Sequence, residues 1–598
     1  MIETSRKTFN VFKWVAGIAF VLFMTADGAS WYLSSKRRPI VTRELKSLVL
    51  NATDSLYHIE FSTVNTNYLL GNASILDVKI IPDTNIFNKL VKLKRAPNNI
   101  YEVRLKKLTI WNFHPWKLFR EKQLDVDALL FEHPSVVMIN KQFEFNENKP
   151  PRPNKSPYEY ISKLLKRVSV RSVNLKDISF KYINKNLQVP EADSLDNLDI
   201  TLKDWLIDKN SATDPSRFYL LKDVLINLND YQLATPDSLY RMRINELSFK
   251  ASTGLLHVKK FSLIPRYSEM DFGRVAGYAK DRFNIQMSDI RLNGIDLPLY
   301  VKKLVLSAND MNISNGSVSV FNNNELRSKG TVRMGKFPHQ LLQTVKGQLS
   351  VKRLNLKNID LSYALFDKYT RQKGKISFEN TSGTITNVTN QESVKAKNPL
   401  MIAQLDSYMM GQGKLHVNFK LDLAAKNGAF AYNGQLSNMD GSVLNKITKP
   451  LGLVQVKSGE VQKLNFNVVA DETRARGTLS FAYKDLSVGL LKKVEGKNRL
   501  VKQGLISMLA NALVINPSNP NAAGHFITAP IDYPRDATSS FFSFVWQSLF
   551  QGIKYTVGLT PQKEAEIAAQ IAKFEKMKAD REERRENRQK RKEARGKR

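Results

Sequence analysis

Seven histidines and one close pair of acidic residues are the side chains in this sequence best suited to catalysis or metal binding. The histidines are scattered, and no two of them stand at the spacing of zinc ligands: they are His58, His114, His133, His257, His339, His416 and His525. Asp125 and Asp127 share one face of a predicted strand, but paired acids on a β surface are too common to indicate general acid–base catalysis. The sequence contains no HExxH, no G-x-S-x-G, no P-loop and no dinucleotide-binding motif. We therefore predict that the protein is not an enzyme and holds no cofactor and no metal.

The composition is that of a folded chain with an anionic partner. A hydrophobic fraction of 42% and a charged fraction of 25% exclude wholesale disorder. The formal net charge of +35 indicates acidic lipid headgroups, lipopolysaccharide or nucleic acid as the partner. The absence of cysteine excludes disulfides, thiolate metal sites and cysteine nucleophiles. A chain of 598 residues predicts several domains.

An apolar stretch near the N-terminus predicts a membrane anchor. Residues 14–33 have the ~20-residue length that a bilayer-spanning helix needs. Aromatic and basic residues at its ends suit the membrane–water interface: they are Trp14, Trp31, Tyr32, Lys36, Arg37 and Arg38. The alternative is a cleavable signal peptide, with Ala26 and Gly28 as small residues near the cleavage site. Basic residues flank the stretch on both sides, so the flanking charges leave the topology open.

The chain after residue 45 reads as strands. In the segment 461–488, apolar and polar residues alternate on both sides of a turn at Asp471 to Arg474, which predicts a hairpin with one apolar face. The residues of that face are Leu464, Phe466, Val468, Leu479, Phe481 and Tyr483. Similar strands separated by Asn, Asp, Gly, Pro and Ser predict a long antiparallel β body.

Two segments of the body repeat one pattern. "VRSVNLKDISFKY" at 170–182 and "VKRLNLKNIDLSY" at 351–363 both fit V-[KR]-x-[VL]-N-L-K-[DN]-I-x-[FL]-x-Y. A weaker echo is "IRLNGIDLPLY" at 290–300. The shared Asn, Lys and Tyr positions favour duplicated β modules, although amphipathic strands also resemble one another by chance.

Helical patterns are concentrated at the C-terminal end. The segment 541–553 carries an apolar stripe that includes Phe541, Phe544, Val545, Phe550 and Ile553, which predicts a helix packed on a sheet or, less often, on a membrane surface. The predicted organisation is a short segment at 1–13, a transmembrane helix at 14–33, a β body at 45–490 with a module boundary or loop near 146–160, amphipathic helices at 491–558 and a basic helical tail at 561–598. The tail predicts either a solvated extension or a segment that binds anionic headgroups.

The segment 441–491 resembles the C-terminal region of AsmA-like proteins. The matching positions are Ser458, Gly459, Val461, Leu464 and Phe466 in the first strand, then Ala475, Gly477, Leu479, Phe481, Tyr483, Asp485 and Leu486 in the second. An N-terminal anchor followed by a strand-rich body is also similar to that family. The resemblance implies anchoring in the inner membrane of a Gram-negative bacterium, with the body in the periplasm. It further implies a repeating β-groove that shields lipid acyl chains, for phospholipid transport or outer-membrane homeostasis.

An apolar sheet face must be buried against something, and the sequence offers few helices before residue 490. We therefore expect the six apolar hairpin residues to line a groove that binds phospholipid or another anionic envelope lipid. The alternative is a second sheet packed on the first, in an anchored scaffold that binds another envelope protein. A nucleic-acid partner is the least favoured, because the sequence has no recognition helix and no aromatic stacking motif.

Overall fold

A computed structural model describes residues 55–146, 166–186, 191–490 and 515–563 with gaps at 68–69, 219, 331, 369 and 453, together with isolated residues outside these ranges. The predicted anchor at 14–33, with Trp14, Trp31, Tyr32, Lys36, Arg37 and Arg38, lies outside the described residues, as do residues 491–514. In the described part of the chain, no helix has both the length and the apolar character that crossing a membrane requires.

The strands of the described residues belong to a 21-stranded sheet, so the fold is mainly β, as predicted. They are β1 (Tyr57–Glu60), β2 (Thr63–Asn67), β3 (Asn72–Pro82), β4 (Asn99–Phe113), β5 (Gln123–Glu132), β6 (Ser135–Asn140), β7 (Arg167–Asn184), β8 (Glu191–Ile207), β9 (Asp223–Ala234), β10 (Tyr240–Lys250), β11 (Leu255–Pro265), β12 (Arg282–Asn293), β13 (Val305–Asn323), β14 (Gln348–Phe366), β15 (Lys373–Thr389), β16 (Leu400–Met409), β17 (Gly413–Asp422), β18 (Phe430–Asp440), β19 (Val454–Ala470), β20 (Arg474–Leu490) and β21 (Thr528–Pro534).

Short helices lie between the strands. They are α1 (Thr84–Lys92), α2 (Pro115–Glu121), α3 (Glu269–Ala276), α4 (Leu297–Lys303), α5 (Pro338–Gln343), α6 (Glu392–Lys395), α7 (Asn445–Gly452) and α8 (Phe541–Thr556), with 3₁₀ turns at Glu144–Asn146 and Gly441–Leu444. The described residues of the tail between 561 and 587 are helical and exposed, as its composition predicts. The region 491–558 is not wholly helical, because β21 lies within it.

The chain divides into two compact units, and each is built from several stretches. The first is Met1–Leu233 with Arg243–Phe261 and Asp289–Asp310, and the second is Ala234–Met242 with Ser262–Ser288 and Met311–Arg598. The segment 146–160, predicted to be a module boundary or a loop, lies mostly outside the described residues.

The first unit is antiparallel except at β7. Strand β4 pairs with β5 and then with β6, and β7 runs parallel to both of them. A parallel neighbour requires a long return connection, and residues 141–166 supply it. The prediction of a purely antiparallel body is therefore wrong at this strand. Leu108, Leu124, Met138 and Val168 are nearly fully buried in the core of this unit.

In the second unit, each strand from β14 to β21 pairs antiparallel with the next one along the chain. The predicted hairpin is β19–β20, with Leu464 opposite Phe481 and Phe466 opposite Leu479. The Asp471 carboxylate holds its turn by accepting hydrogen bonds from the backbone N–H groups of Thr473 and Arg474 at 2.7 and 3.1 Å. The hairpin prediction is confirmed.

The two full repeats form equivalent hairpins, β7–β8 and β14–β15. In both, the [DN] position of the pattern is a bulged residue with left-handed backbone: Asp177 has φ 59° and Asn358 has φ 52°. The pairing register shifts on each side of Ile178 in one hairpin and of Ile359 in the other. The backbone N–H of the bulged residue donates to a partner-strand side chain, Asp199 in the first hairpin and Ser382 in the second.

The partner strands repeat as well. Left-handed residues stand seven apart in both, at Asn197 and Asp204 of β8 and at Asn380 and Asn387 of β15. These shared irregularities support duplicated modules, because simple alternation of apolar residues does not specify where a strand bulges. The echo at 290–300 is different: β12 ends at Asn293 and helix α4 follows, so it is not a third copy.

Candidate functional site

The six predicted groove residues lie in a closed protein core. Their exposed fractions run from 0% at Leu479 to 8% at Phe481, and all six belong to one apolar cluster. The other four are Leu464, Phe466, Val468 and Tyr483. The expectation that these six side chains face lipid is therefore corrected: at this hairpin, other parts of the same chain cover the apolar face.

Helix α8 is the cover over β20 and β21. Phe544 and Ser548 on its inner face are fully buried. A Cβ added to Gly552 would lie 2.9 Å from Cβ of Leu479, so the helix approaches the strand as closely as glycine allows. The small residues Ser548, Gly552 and Thr556 stand four apart and therefore lie on one face of the helix. This spacing of small residues can be read from the sequence and indicates a close contact between helix and sheet, which the apolar stripe alone did not indicate.

Two tyrosine hydroxyls join α8 to the sheet. The hydroxyl of Tyr432 on β18 hydrogen-bonds that of Ser548, and the Tyr483 hydroxyl donates to the carbonyl oxygens of Asn516 and Thr556 at 3.0 and 3.4 Å. Burial raises the pKa of both tyrosines to about 12. Both side chains are therefore neutral, hydrogen-bonded parts of a dry core.

An arginine closes the end of this core near α5. The Arg535 guanidinium lies 4.3 Å from the centre of the Phe337 ring and donates to the carbonyl oxygens of Arg333 and Ser539 at 2.9 and 2.8 Å. Burial lowers its pKa, and the nearby Glu472 carboxylate acts in the opposite direction. Phe337 itself is fully buried against Phe430 and other rings of the cluster. Arg535 is thus a structural cation, and no motif in the sequence predicts this role.

The apolar sheet face continues onto β14 and β15, where Phe378 and Ile385 still pack against the closed core but the described residues leave other side chains only partly covered. Residues directly opposite each other in a ladder share a face, and Leu354 lies opposite Ile385, Leu356 opposite Gly383 and Leu361 opposite Phe378. The bulges add one residue to β14 at Asn358 and one to β15 at Asn380. Each bulge accommodates one extra polar residue, so the alternation of the following residues is kept. The apolar residues therefore stay on one side along the length of the hairpin.

Strands β12 and β13 extend this face. A Cβ added to Gly316 of β13 would lie 2.4 Å from the Met287 sulfur of β12 and 3.3 Å from a methyl of Ile359 in β14. The opposite face is polar: the Asn355 side chain hydrogen-bonds Asn312 at 2.8 Å and Thr384 at 3.1 Å. Ser362 and Ser319 hydrogen-bond at 3.1 Å on that same side.

We call the apolar side of these strands the open face. Its side chains are mainly partly buried, whereas the six apolar side chains of the β19–β20 hairpin named above are buried. The residues that define it are the exposed Tyr363 and the partly buried Met287, Val318, Val320, Leu354, Leu356 and Leu361. Ile359 at its centre is only 2% exposed, because its neighbours on the same face surround it. Helix α7 covers one end, where a Cβ on Gly374 would lie 2.7 Å from Leu451.

Tyr363 lies on the open face near two charged side chains. The residue is 42% exposed, yet desolvation raises its pKa to about 12. Solvent therefore reaches the side chain, and neighbouring protein atoms remove part of its hydration. The Asp281 carboxylate also raises this pKa, and the Arg333 guanidinium, which is 3.4 Å from Asp281, lowers it. An apolar face with charged groups nearby suits an amphipathic ligand.

The residues considered first for chemistry form no reactive constellation in the described part of the chain. Asp125 pairs with Lys117 at 2.9 Å and Asp127 with Arg171 at 3.2 Å, so each carboxylate lies beside a cation. His133, His257 and His416 each contact a single aspartate, at 2.7, 3.0 and 3.0 Å. Among the described residues, no three His, Cys, Asp or Glu side chains are grouped so that they could bind a metal ion.

Comparison with known proteins adds no identification. No protein-family model matches the chain, and no curated protein is significantly similar to it in sequence. The resemblance to AsmA-like proteins therefore remains a prediction from the residues quoted for it, and the function must be argued from the open face.

Proposed function

We propose that the protein is a non-enzymatic lipid-handling protein whose open face binds the acyl chains of a phospholipid. The observation that carries the proposal is the contrast within the second unit. One part of its apolar sheet face is sealed by α8 and by the rings around Phe337, and another part, also apolar, is only partly covered by the residues that the structure describes.

Energetics favour an apolar ligand for the open face. Apolar surface left in water costs about 25 cal/mol per Å², and long acyl chains are flexible enough to follow a twisted sheet. If only water contacted the open face, the free energy of burying its apolar surface would not be gained. The predicted anchor at 14–33 and the net charge of +35 would place the chain at an anionic membrane, where such a ligand is abundant.

The envelope setting is part of the proposal. The resemblance to AsmA-like proteins supports attachment to a bacterial inner membrane, a periplasmic body and a role in phospholipid transport or outer-membrane homeostasis. The alternative is an anchored scaffold that binds another envelope protein. The closed core under α8 favours that alternative, since it shows that part of the sheet is covered as in an ordinary packed domain.

Transfer of a pyrene-labelled phospholipid from donor vesicles to the full chain tests the proposal. Leu356→Glu places a charge on the open face, and Lys357→Glu places one on the polar side of the same strand as a matched control. We expect Leu356→Glu to abolish the protein-dependent change in pyrene emission and Lys357→Glu to retain it. Circular dichroism confirms that both variants are folded.

Equal lipid uptake by the two variants would contradict the open face as the binding site. No uptake by the unmodified chain, together with specific capture of an envelope protein that Leu356→Glu abolishes, would replace lipid handling by the scaffold function.

A further inference from the structure

Helix α8 carries a second apolar stripe, in which Trp546 is partly buried against the core and the rings on either side of it are exposed. Its inner face is occupied by Phe544, Ser548 and Gly552, which contact the core. On the other side, Phe542 is 71% exposed and Phe550 is 38% exposed. The inner face already holds the helix against the sheet, so these exposed rings are not needed for that packing.

The outer stripe is ordered in space. Phe542, Trp546, Phe550 and Lys554 follow one another at intervals of four residues, so they line one side of the helix. The Trp546 and Phe550 rings are stacked with their centres 5.8 Å apart. The Lys554 ammonium lies 5.5 Å from the centre of the Phe550 ring. Aromatic rings followed by a lysine form an amphipathic surface of the kind found at membrane–water interfaces.

The chain after this helix adds positive charge. The tail begins a few residues beyond Thr556, and its basic residues outnumber its acidic ones, most clearly in "RQKRKEARGKR" at its end. Its described residues between 561 and 587 are exposed. Stable attachment to a membrane surface usually needs two signals, and an apolar stripe followed by a polybasic segment supplies both.

We propose that the outer stripe of α8 docks on the surface of an anionic phospholipid bilayer. The rings of Phe542, Trp546 and Phe550 enter the boundary between headgroups and acyl chains, and Lys554 and the basic tail contact the phosphates. An anionic bilayer is complementary in charge to the basic tail. Docking on a protein partner would not require the tail's excess of basic over acidic residues. The proposal goes beyond acyl-chain binding on the open face and does not depend on it.

The absence of cysteine allows a direct test on the full chain. Gln547→Cys on the exposed side of α8 is labelled with the fluorophore NBD, and Lys463→Cys on the outward side of β19 serves as the control position. Phosphatidylcholine vesicles with and without phosphatidylglycerol carry a lipid-bound quencher. We expect quenching at residue 547 and not at 463, only with phosphatidylglycerol, and weaker as salt rises.

Variants separate the stripe from the predicted N-terminal anchor. Phe542→Ser combined with Phe550→Ser should weaken quenching at residue 547 on the order of tenfold, because two rings no longer leave water. Val469→Ser removes an apolar side chain that is 62% exposed on β19 and should change nothing. The anchor segment is identical in all variants, so it cannot produce the difference.

Three results would overturn the proposal: no quenching at residue 547, equal quenching at 463, or quenching that ignores lipid charge. Normal pyrene-lipid uptake on the open face together with any of these results would contradict docking alone and leave lipid handling in place.

Discussion

At the scale of single residues, the structure separates two kinds of apolar position that look alike in the sequence. Phe466 and Leu356 both stand in alternating strands of the second unit. Phe466 is 6% exposed and lies in the closed core beside Tyr432, with ring centres 6.0 Å apart, whereas Leu356 is partly exposed on the open face. Burial by protein, and not hydrophobicity, therefore decides the energetic role of each.

Truncation should reveal this difference. Phe466→Ala should lower the free energy of unfolding by about 3–5 kcal/mol, because it leaves a cavity in a close-packed core. Leu356→Ala should cost clearly less than the 2–5 kcal/mol typical of a buried leucine, at roughly 1 kcal/mol, because no closed cavity forms. Urea unfolding monitored by tryptophan fluorescence measures both. Equal losses would mean that the open face is packed as tightly as the core.

His339 is the clearest titratable group in the closed core. It is 1% exposed, and its ring packs beside Phe337 and Phe430. Burial lowers its pKa from 6.5, while a backbone hydrogen bond with Gly428 and the carboxylates of Asp422 and Glu472 partly oppose that shift. The folded protein therefore holds the neutral ring.

This pKa shift predicts how stability depends on pH. Below about pH 6.5 the unfolded chain binds a proton that the folded chain does not, so stability should fall as the pH drops from 6.5 towards the folded-state pKa. His339→Phe should remove that part of the pH dependence, and His525→Phe, at an exposed position, should keep it. Thermal unfolding between pH 5 and 7.5 compares the variants. Parallel curves for the unmodified chain and His339→Phe would contradict the assignment.

At the scale of elements, the recurrent device is an asparagine or aspartate with left-handed backbone inside a strand. Among the described non-glycine residues within strands, all those with positive φ are Asn or Asp, including Asp77, Asp177, Asp289, Asn358 and Asp485. Short polar side chains tolerate this conformation better than other residues, apart from glycine. The bulges they form let long strands bend and twist while the apolar side chains stay on one face.

Substitution at one such bulge tests its role. Asn358→Val should cost about 1–2 kcal/mol, because a β-branched residue is strained at φ 52°, and Asn358→Gly should be close to neutral. Asp177→Val in the equivalent hairpin should behave in the same way. Lys357→Val, one residue earlier and exposed, is the control. Chemical unfolding measures all four, and a Val variant as stable as the Gly variant would show that the left-handed conformation is not required.

The elements also show how far the sequence determined the fold. Alternation sufficed for the β19–β20 hairpin, because its period of two residues reports the strand directly. The repeat at 170–182 and 351–363 was recognisable because the bulge residue is part of the pattern. The parallel pairing of β7 was not recognisable from the sequence, because it depends on where the long connection at 141–166 brings the chain back to the sheet. β21 was missed as well, because "TAPIDYP" contains two prolines and only a short alternation.

At the scale of the whole molecule, the small number of predicted helices led to two predictions about the site. The first was that the sheet has an apolar face, and the second was that the six hairpin residues of this face contact lipid. One apolar sheet face was correctly inferred, but its covered and open parts could not be told apart. The cover depends on Ser548, Gly552 and Arg535, whose close contacts with Leu479, Tyr432 and Phe337 join segments distant in sequence. The open face became recognisable only when strand register and burial were combined.

The central claim is that acyl chains occupy the open face and not the closed core. Photo-crosslinking in cells tests it most directly, with a diazirine amino acid placed in turn at Leu361 on the open face, Leu464 in the closed core and Lys357 on the polar side. Mass spectrometry then identifies what each position captures. The account predicts phospholipid adducts at residue 361 and only intramolecular crosslinks at 464, with neither enriched at 357. Phospholipid at 464, or only protein crosslinks at 361, would contradict it.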